Sequence, residues 1–156
     1  MAVDDAEFKQ ALSHFASGVT VVTTEHDGKP YGMTVASFAS LSLHPPLVLI
    51  CIERAVKTHD AIAASGKFGV NILTKSQADI SNRFASKSDD KFSGLDVVEG
   101  SSGVPLIAGA LTTLECTVWE QLPGGDHTIF VGEVVATTSG EGDPLVYYRS
   151  AYRDIT

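Results

Sequence analysis

Three groups of residues in this chain have types and spacings suited to chemistry. The first is the run from Gly32 to Ile52, GMTVASFASLSLHPPLVLICI, whose first half is crowded with Thr34, Ala36, Ser37, Ala39, Ser40 and Ser42. Small side chains let a ligand approach the backbone. Hydroxyls and freed N–H groups then supply hydrogen bonds without adding net charge. The second half, Leu47 to Ile52, is continuously apolar and reads as a strand buried on both faces. A greasy strand beside a wall of small donors suits a flat, polar-edged cofactor, and it equally describes a hairpin with Ser and Thr on its wet face. The second group is Glu53-Arg54-Ala55-Val56-Lys57-Thr58, where that strand gives way to a helix. The free N–H groups of a helix start attract anions, and Arg54 and Thr58 can complete a phosphate site. The plainer account makes Arg54 and Lys57 solvated charges and Thr58 a helix cap. The third group is Gly124-Gly125-Asp126-His127, which sets a histidine at a turn-to-strand junction. Such a histidine can position a substrate or bond to a developing charge; otherwise it is a partly exposed side chain after a turn Asp. His14, His26, His44 and His59 lie on helix faces or turns and form no constellation.

Several classes are excluded by what is missing. There is no G-x-G-x-x-G between strand and helix and no G-x-x-x-x-G-K-[ST], so a dinucleotide bound here is not held by a Rossmann unit. There is no G-x-S-x-G, no H-E-x-x-H and no Cys/His pair at metal-ligand spacing, so no metal centre is expected. Cys51 and Cys116 both sit in apolar runs and read as buried free thiols of a reducing compartment. Eleven basic against nineteen acidic residues give a net charge of −8, which argues against nucleic acid or an anionic membrane as partner. Locally, backbone N–H groups and one or two cations can still hold a phosphate. No charged start precedes an apolar h-region, and no apolar run approaches ~18 residues. The cytoplasm is therefore the default compartment. The 156 residues, 44% apolar and 19% charged, predict one globular domain over 1–156.

The elements that must position these groups follow from periodicity. Asp4 or Asp5 can cap a helix to about Ser17, with Phe8, Ala11, Leu12 and Phe15 on one face and Gly18 as its stop. Val19 to Thr24 is β-branched throughout and predicts a strand, followed by a hairpin turn at His26-Asp27-Gly28-Lys29. Pro45-Pro46 marks a strand edge or turn. Further helices are predicted over about His59–Ser65, ended by Gly66, and over Ser76–Ala85. Strands are predicted at Lys67–Leu73, Val104–Ile107, Leu111–Gln121, His127–Thr138 and Leu145–Tyr148. Ser86 to Gly103 is the loosest stretch, anchored by Phe92 and Leu95. Trp119 suits a core or an interface, and the tail Tyr147-Tyr148-Arg149 with Tyr152-Arg153 suits packing, a ligand cover or a dimer seal. Hairpin-length turns make the sheet mainly antiparallel, and a closed or nearly closed barrel with about three peripheral helices resolves its edges.

Taken together, several segments resemble the flavin reductase-like family, with its split-barrel FMN-binding fold. They are FKQALSHFASGVTVVTT, the Gly32–Ile52 run, ERAVKTHDAI, SNRFA, KFSGL, GGDHTIFVGEV and PLVYYRSAYRDI, in the family's order from Phe8 to Ile155. The pattern is most similar to the small reductase components of two-component flavin-dependent monooxygenases. The resemblance implies a homodimer that binds FMN or FAD, reduces it with NADH or NADPH, and passes reduced flavin to a separate oxygenase. By position, Met33, Thr34, Ala36 and Ser37 would wall the isoalloxazine edge, extended by Ser40. Cys51, Ile52, Arg54 and Thr58 would lie along the ribityl chain and phosphate, and Phe84 and Phe92 would contact the flavin. His127 would serve nicotinamide binding and hydride delivery, and Tyr152 and Arg153 would close over the site. Relatives often carry Asn where this chain has Ala36, which removes a side-chain bond and leaves the backbone donors. Two other readings stay open at this point: a flavin-binding module without turnover, and a self-contained flavoenzyme reducing another small acceptor.

Overall fold

The computed structural model describes residues 2–155. Helix α1 (Asp5–Leu12) starts at Asp4, whose Oδ1 accepts the Glu7 N–H at 2.8 Å and so satisfies a first-turn donor. The apolar periodicity predicted a helix to about Ser17, but α1 ends at Leu12. Strand β1 (Ser17–Gly18) takes up the following backbone by pairing with Tyr147 and Val146, so Gly18 is a strand residue and not a helix stop. None of the residues of α1 is buried, and Phe8, Leu12 and Phe15 stand in the open.

The remaining elements are β2 (Thr20–His26), β3 (Lys29–Val35), β4 (Phe38–Ser42), β5 (Leu47–Glu53), α2 (Lys57–Ser65), β6 (Lys67–Ile72), α3 (Ala78–Ala85), β7 (Val97–Glu99), β8 (Pro105–Ile107), β9 (Thr112–Gly124), β10 (His127–Ser139), β11 (Val146–Tyr148) and β12 (Ala151–Arg153). The turn between β2 and β3 forms where predicted. Asp27 and Gly28 both adopt positive φ, 52° and 75°, as a two-residue hairpin matched to strand twist requires. Helix α2 ends at Gly66 in the left-handed region, as its sequence indicates.

Seven strands form one antiparallel sheet in the order β3-β2-β6-β9-β10-β5-β4. One core draws on both ends of that order: Val35 from β3, Val48, Ile50 and Ile52 from β5, and Phe38 of β4 against them. The sheet is therefore curled until its ends face each other, with Ile62 of α2 packed into the same core. Strands β3 and β4 share no ladder, so the barrel is split along that seam. The run Leu47–Ile52 is less enclosed than its composition suggests, because Leu49 and Cys51 are only half-buried. Cys116 is fully buried, and burial pushes its thiol up to about 12. Trp119 is 53% exposed and is not a core residue.

A second cluster joins Val19, Val21, Leu73, Phe84, Ile107 and Leu145, with Phe92, Leu95 and Tyr152 against it. It holds α3 and the stretch after it. That stretch, predicted loose, contains β7, which pairs with β8. Its end is tied down by Glu115, whose carboxylate accepts from the Ser102 N–H at 2.9 Å and the Ser102 hydroxyl at 2.6 Å. Burial works to raise the Glu115 carboxyl, but the hydrogen bonds from Ser102 and Ser101 outweigh it and hold it below its ordinary value. The tail carries one more strand than predicted. β11 and β12 form a hairpin through Arg149 and Ser150, both at positive φ.

Candidate functional site

A cleft of about 650 Å³ opens between β3, the start of α2, and the end of α3 with the segment after it. Its floor depends on Gly32. A Cβ there would sit 2.8 Å from Phe84 Cε1 and 3.2 Å from Phe92 Cζ, so only glycine lets those rings close beneath β3. The two rings meet edge to face, with centroids 5.0 Å apart. Met33, Thr34 and Phe92 line the cleft directly. The Thr34 hydroxyl donates to Ser81 O at 2.6 Å, tying β3 to α3.

Charge is concentrated at the rim. Lys29, Lys57, Lys87 and Lys91 line this one cleft in a chain with eleven basic residues, against the acids Glu53 and Asp89. Lys91 Nζ donates to Gly32 O and Phe84 O, each at 3.1 Å, and its partial burial lowers its pKa. Lys57 Nζ donates to Asp89 Oδ1 at 2.9 Å across the mouth of the cleft. That bond raises the Lys57 ammonium and lowers the Asp89 carboxyl. Val56 is the N-cap of α2 and supplies no side-chain bond; the His59 N–H turns back to Val56 O at 3.2 Å, and the N–H groups of Lys57 and Thr58 have no side-chain cap at this end of the cleft.

His127 opens β10 directly opposite Glu53, whose residue also lines the cleft. Its Nδ1 lies 2.7 Å from Asp126 Oδ1, and a proton on that nitrogen donates to the carboxylate and fixes the ring's orientation. The same bond lowers the Asp126 carboxyl. Arg54 N donates to Asp126 O at 3.0 Å, which ties the end of β5 to the β9–β10 turn.

The structure brings some of the expected residues together and separates others. Met33, Thr34, Thr58 and Phe92 surround the cleft. Ala36 and Ser37 continue β3 toward the seam, and Ser37 Oγ donates to Cys51 O at 2.9 Å, so Ser37 and Cys51 form a joined pair. Ser40 is exposed on β4. Ile52 is fully buried in the core, so its side chain cannot run along a ligand. Phe84 belongs to the cleft's lining and, fully buried, forms part of its floor. Thr58 is buried within the first turn of α2 and does not cap it. Arg54 lies outside the cleft lining. Tyr152 is anchored to α3 by its hydroxyl, which donates to Asn82 Oδ1 and pairs with the Ser81 hydroxyl, each at 2.8 Å, and Arg153 lies over Tyr148. Neither lines the cleft of its own chain. Sequence reading missed Lys29, Tyr31, Lys87 and Asp89, and treated Lys57 as a solvated charge. The lysines are scattered along the chain and converge only when residues 86–92 fold back over β3.

Among the described residues no group of His, Cys, Asp and Glu could hold a metal ion, and no helix is long and apolar enough to cross a membrane. A family model described as the flavin reductase-like domain matches residues 12–156. The reductase component of a 4-nitrophenol 4-monooxygenase/4-nitrocatechol 2-monooxygenase from Rhodococcus opacus is 45% identical over 150 residues, covering 96% of this chain and 80% of that protein. The reductase subunit HsaB of a flavin-dependent monooxygenase from Mycobacterium tuberculosis is 43% identical over 98% of this chain and 83% of its own length. Among solved structures, a Streptomyces globisporus NADH:FAD oxidoreductase in complex with NAD and FAD fragments superposes with a TM-score of 0.94 at 39% identity, covering 100% of this chain and 97% of that one.

Proposed function

The chain belongs to the flavin reductase-like domain family, and from that membership we propose that it reduces FMN or FAD with NADH or NADPH and supplies the reduced flavin to a separate monooxygenase component. The observation that carries this reading is the cleft. It combines an apolar floor under Gly32, backbone polar groups along β3, and a rim of four lysines beside the uncapped start of α2. Those features fit the three parts of a flavin nucleotide: a flat ring, its polar edge and its phosphate.

When bound, the flavin supplies the chemistry by accepting a hydride from the nicotinamide. The chain's own work is to hold two flat rings in contact and keep water out. Met33, Thr34, Ala36 and Ser37 present backbone and small side chains to the ring edge. The first turn of α2, with Lys57, Lys29 and Lys87, draws the phosphate. His127, its ring oriented by Asp126, stands beside the strand that leads to the cleft. A hydride transfer between two rings needs no strong acid or base in the protein, in keeping with a site that has no paired carboxylates.

A second copy of the chain completes the assembly in this reading. Phe15, Leu43 and Trp119 are 80%, 75% and 53% exposed, more large apolar surface than a lone chain of this charge gains from showing to water. Arg153 of the tail, outside the lining of its own cleft, then reaches the partner's, while Tyr152 stays tied to its own α3. The deciding assay is steady-state oxidation of NADH and NADPH by flavin-stripped protein with FMN, FAD or riboflavin added in turn. Saturable turnover dependent on added flavin is expected. Flavin binding without turnover would refute the reductase reading.

A further inference from the structure

We propose that Asp89 is a built-in competitor for the flavin phosphate, set into the cleft so that the flavin is held weakly enough to leave. The proposal rests on assigning the lysine-rimmed end of the cleft to that phosphate. Six charged side chains line the cleft: Lys29, Lys57, Lys87, Lys91, Glu53 and Asp89. Lys91 is engaged with two carbonyl oxygens. Glu53 is at the far strand end, opposite His127. Asp89 alone reaches across the mouth to a cation, with its Oδ1 2.9 Å from Lys57 Nζ, while Lys29 and Lys91 also act on it.

Both partners of this ion pair are largely solvated, at 70% and 76% exposure, so the bond does little for the fold. Its effect falls on a ligand. A phosphate approaching the start of α2 must either take Lys57 from Asp89 or lie beside an unmatched carboxylate. A protein built to retain its flavin gains nothing from an acid at that position. A protein that reduces flavin and hands it on gains a faster release. Asp89 is thus an affinity-setting residue that acts on the phosphate and leaves the ring alone.

The test compares wild type with Asp89→Asn by flavin fluorescence quenching, using FMN, FAD and riboflavin at low and high salt. The expected result is that Asp89→Asn binds FMN and FAD about three- to tenfold more tightly at low ionic strength, as removing one unit charge a few ångströms from a phosphate in a wet site predicts. The gain shrinks in high salt, and riboflavin, which has no phosphate, binds both proteins alike. Lys57→Met is expected to move FMN in the opposite direction. An equal gain for riboflavin overturns the proposal, because Asp89 would then act through shape. No change for FMN in the variant, with wild type binding FMN normally, also overturns it. Failure of wild type to bind any of the three overturns the assignment of the cleft itself, which keeps the two failures distinct.

Discussion

Gly32→Ala is the sharpest test of how the cleft is built. The added methyl would lie 2.8 Å from Phe84 Cε1, 3.0 Å from Phe84 Cδ1 and 3.2 Å from Phe92 Cζ. Carbon atoms in comfortable contact are about 3.5–4.0 Å apart, so both rings must retreat by roughly 0.5–1 Å. Phe84 is fully buried and has nowhere to swing. Overpacking of this kind costs about 1–3 kcal/mol. For a chain of this length that corresponds to a melting temperature lower by about 3–10 °C. Urea and thermal unfolding measure the loss, and flavin titration of the folded variant reads the displaced floor as weaker binding. A second variant isolates the cause. Phe84→Leu removes the ring atoms that the methyl meets, so the double variant should be more stable than the sum of the two single losses predicts, by about 1 kcal/mol. Strict additivity, or an unchanged melting temperature in Gly32→Ala, would refute the close approach of β3 to these rings.

Three further outcomes are expected. His127→Ala should depress nicotinamide-dependent turnover more than flavin affinity; equal losses in turnover assays and flavin titration would remove its assigned role. Glu115→Gln should cost about 1–2 kcal/mol in urea unfolding at neutral pH, since the carboxylate bonds to Ser102 are charge-assisted. Because the folded Glu115 value lies below the ordinary 4.5, its contribution is full above that pH and fades as the pH falls through the lower folded value, so the gap between the proteins should close in acid. On the proposed pairing of two copies, Trp119→Glu should shift the chain toward monomer in sedimentation while its circular dichroism stays native; an unchanged mass would exclude Trp119 from such a contact.

How much of this was legible in the sequence differed by region. The β2–β3 turn, the stop at Gly66 and the antiparallel character of the sheet follow from local chemistry that nothing distant overrides. α1 was overread because Phe8, Leu12 and Phe15 repeat at helical spacing, while the backbone from Ser17 is claimed by a strand near the other end of the chain. Ser86–Gly103 read as loose because its order comes from Glu115 and from β8, neither of which shows in its own composition. In the site, Thr34 stands out in the sequence because its neighbours are small and hydroxylated, and Met33 enters through the family resemblance; both line the cleft. The lysine rim was not found, because residues 29, 57, 87 and 91 form no motif and meet only in three dimensions. The family resemblance put Ile52 and Phe84 beside the ligand; both side chains are fully buried, Phe84 in the cleft floor and Ile52 in the core, a distinction that strand and helix periodicity alone does not make.

The seam between β3 and β4 bears on how the protein survives repeated use. Each of these strands has a neighbour on one side only, so the outer row of backbone groups on each belongs to no ladder. A guest that bonds to this row displaces no bond of the sheet's ladders on arrival and leaves none broken on departure. Loading and unloading are thereby separated from folding, and ligand adds to stability only through mass action. Under the proposed function, a reductase that hands its flavin on needs ladders that are as sound vacant as filled, and an unzipped barrel provides them.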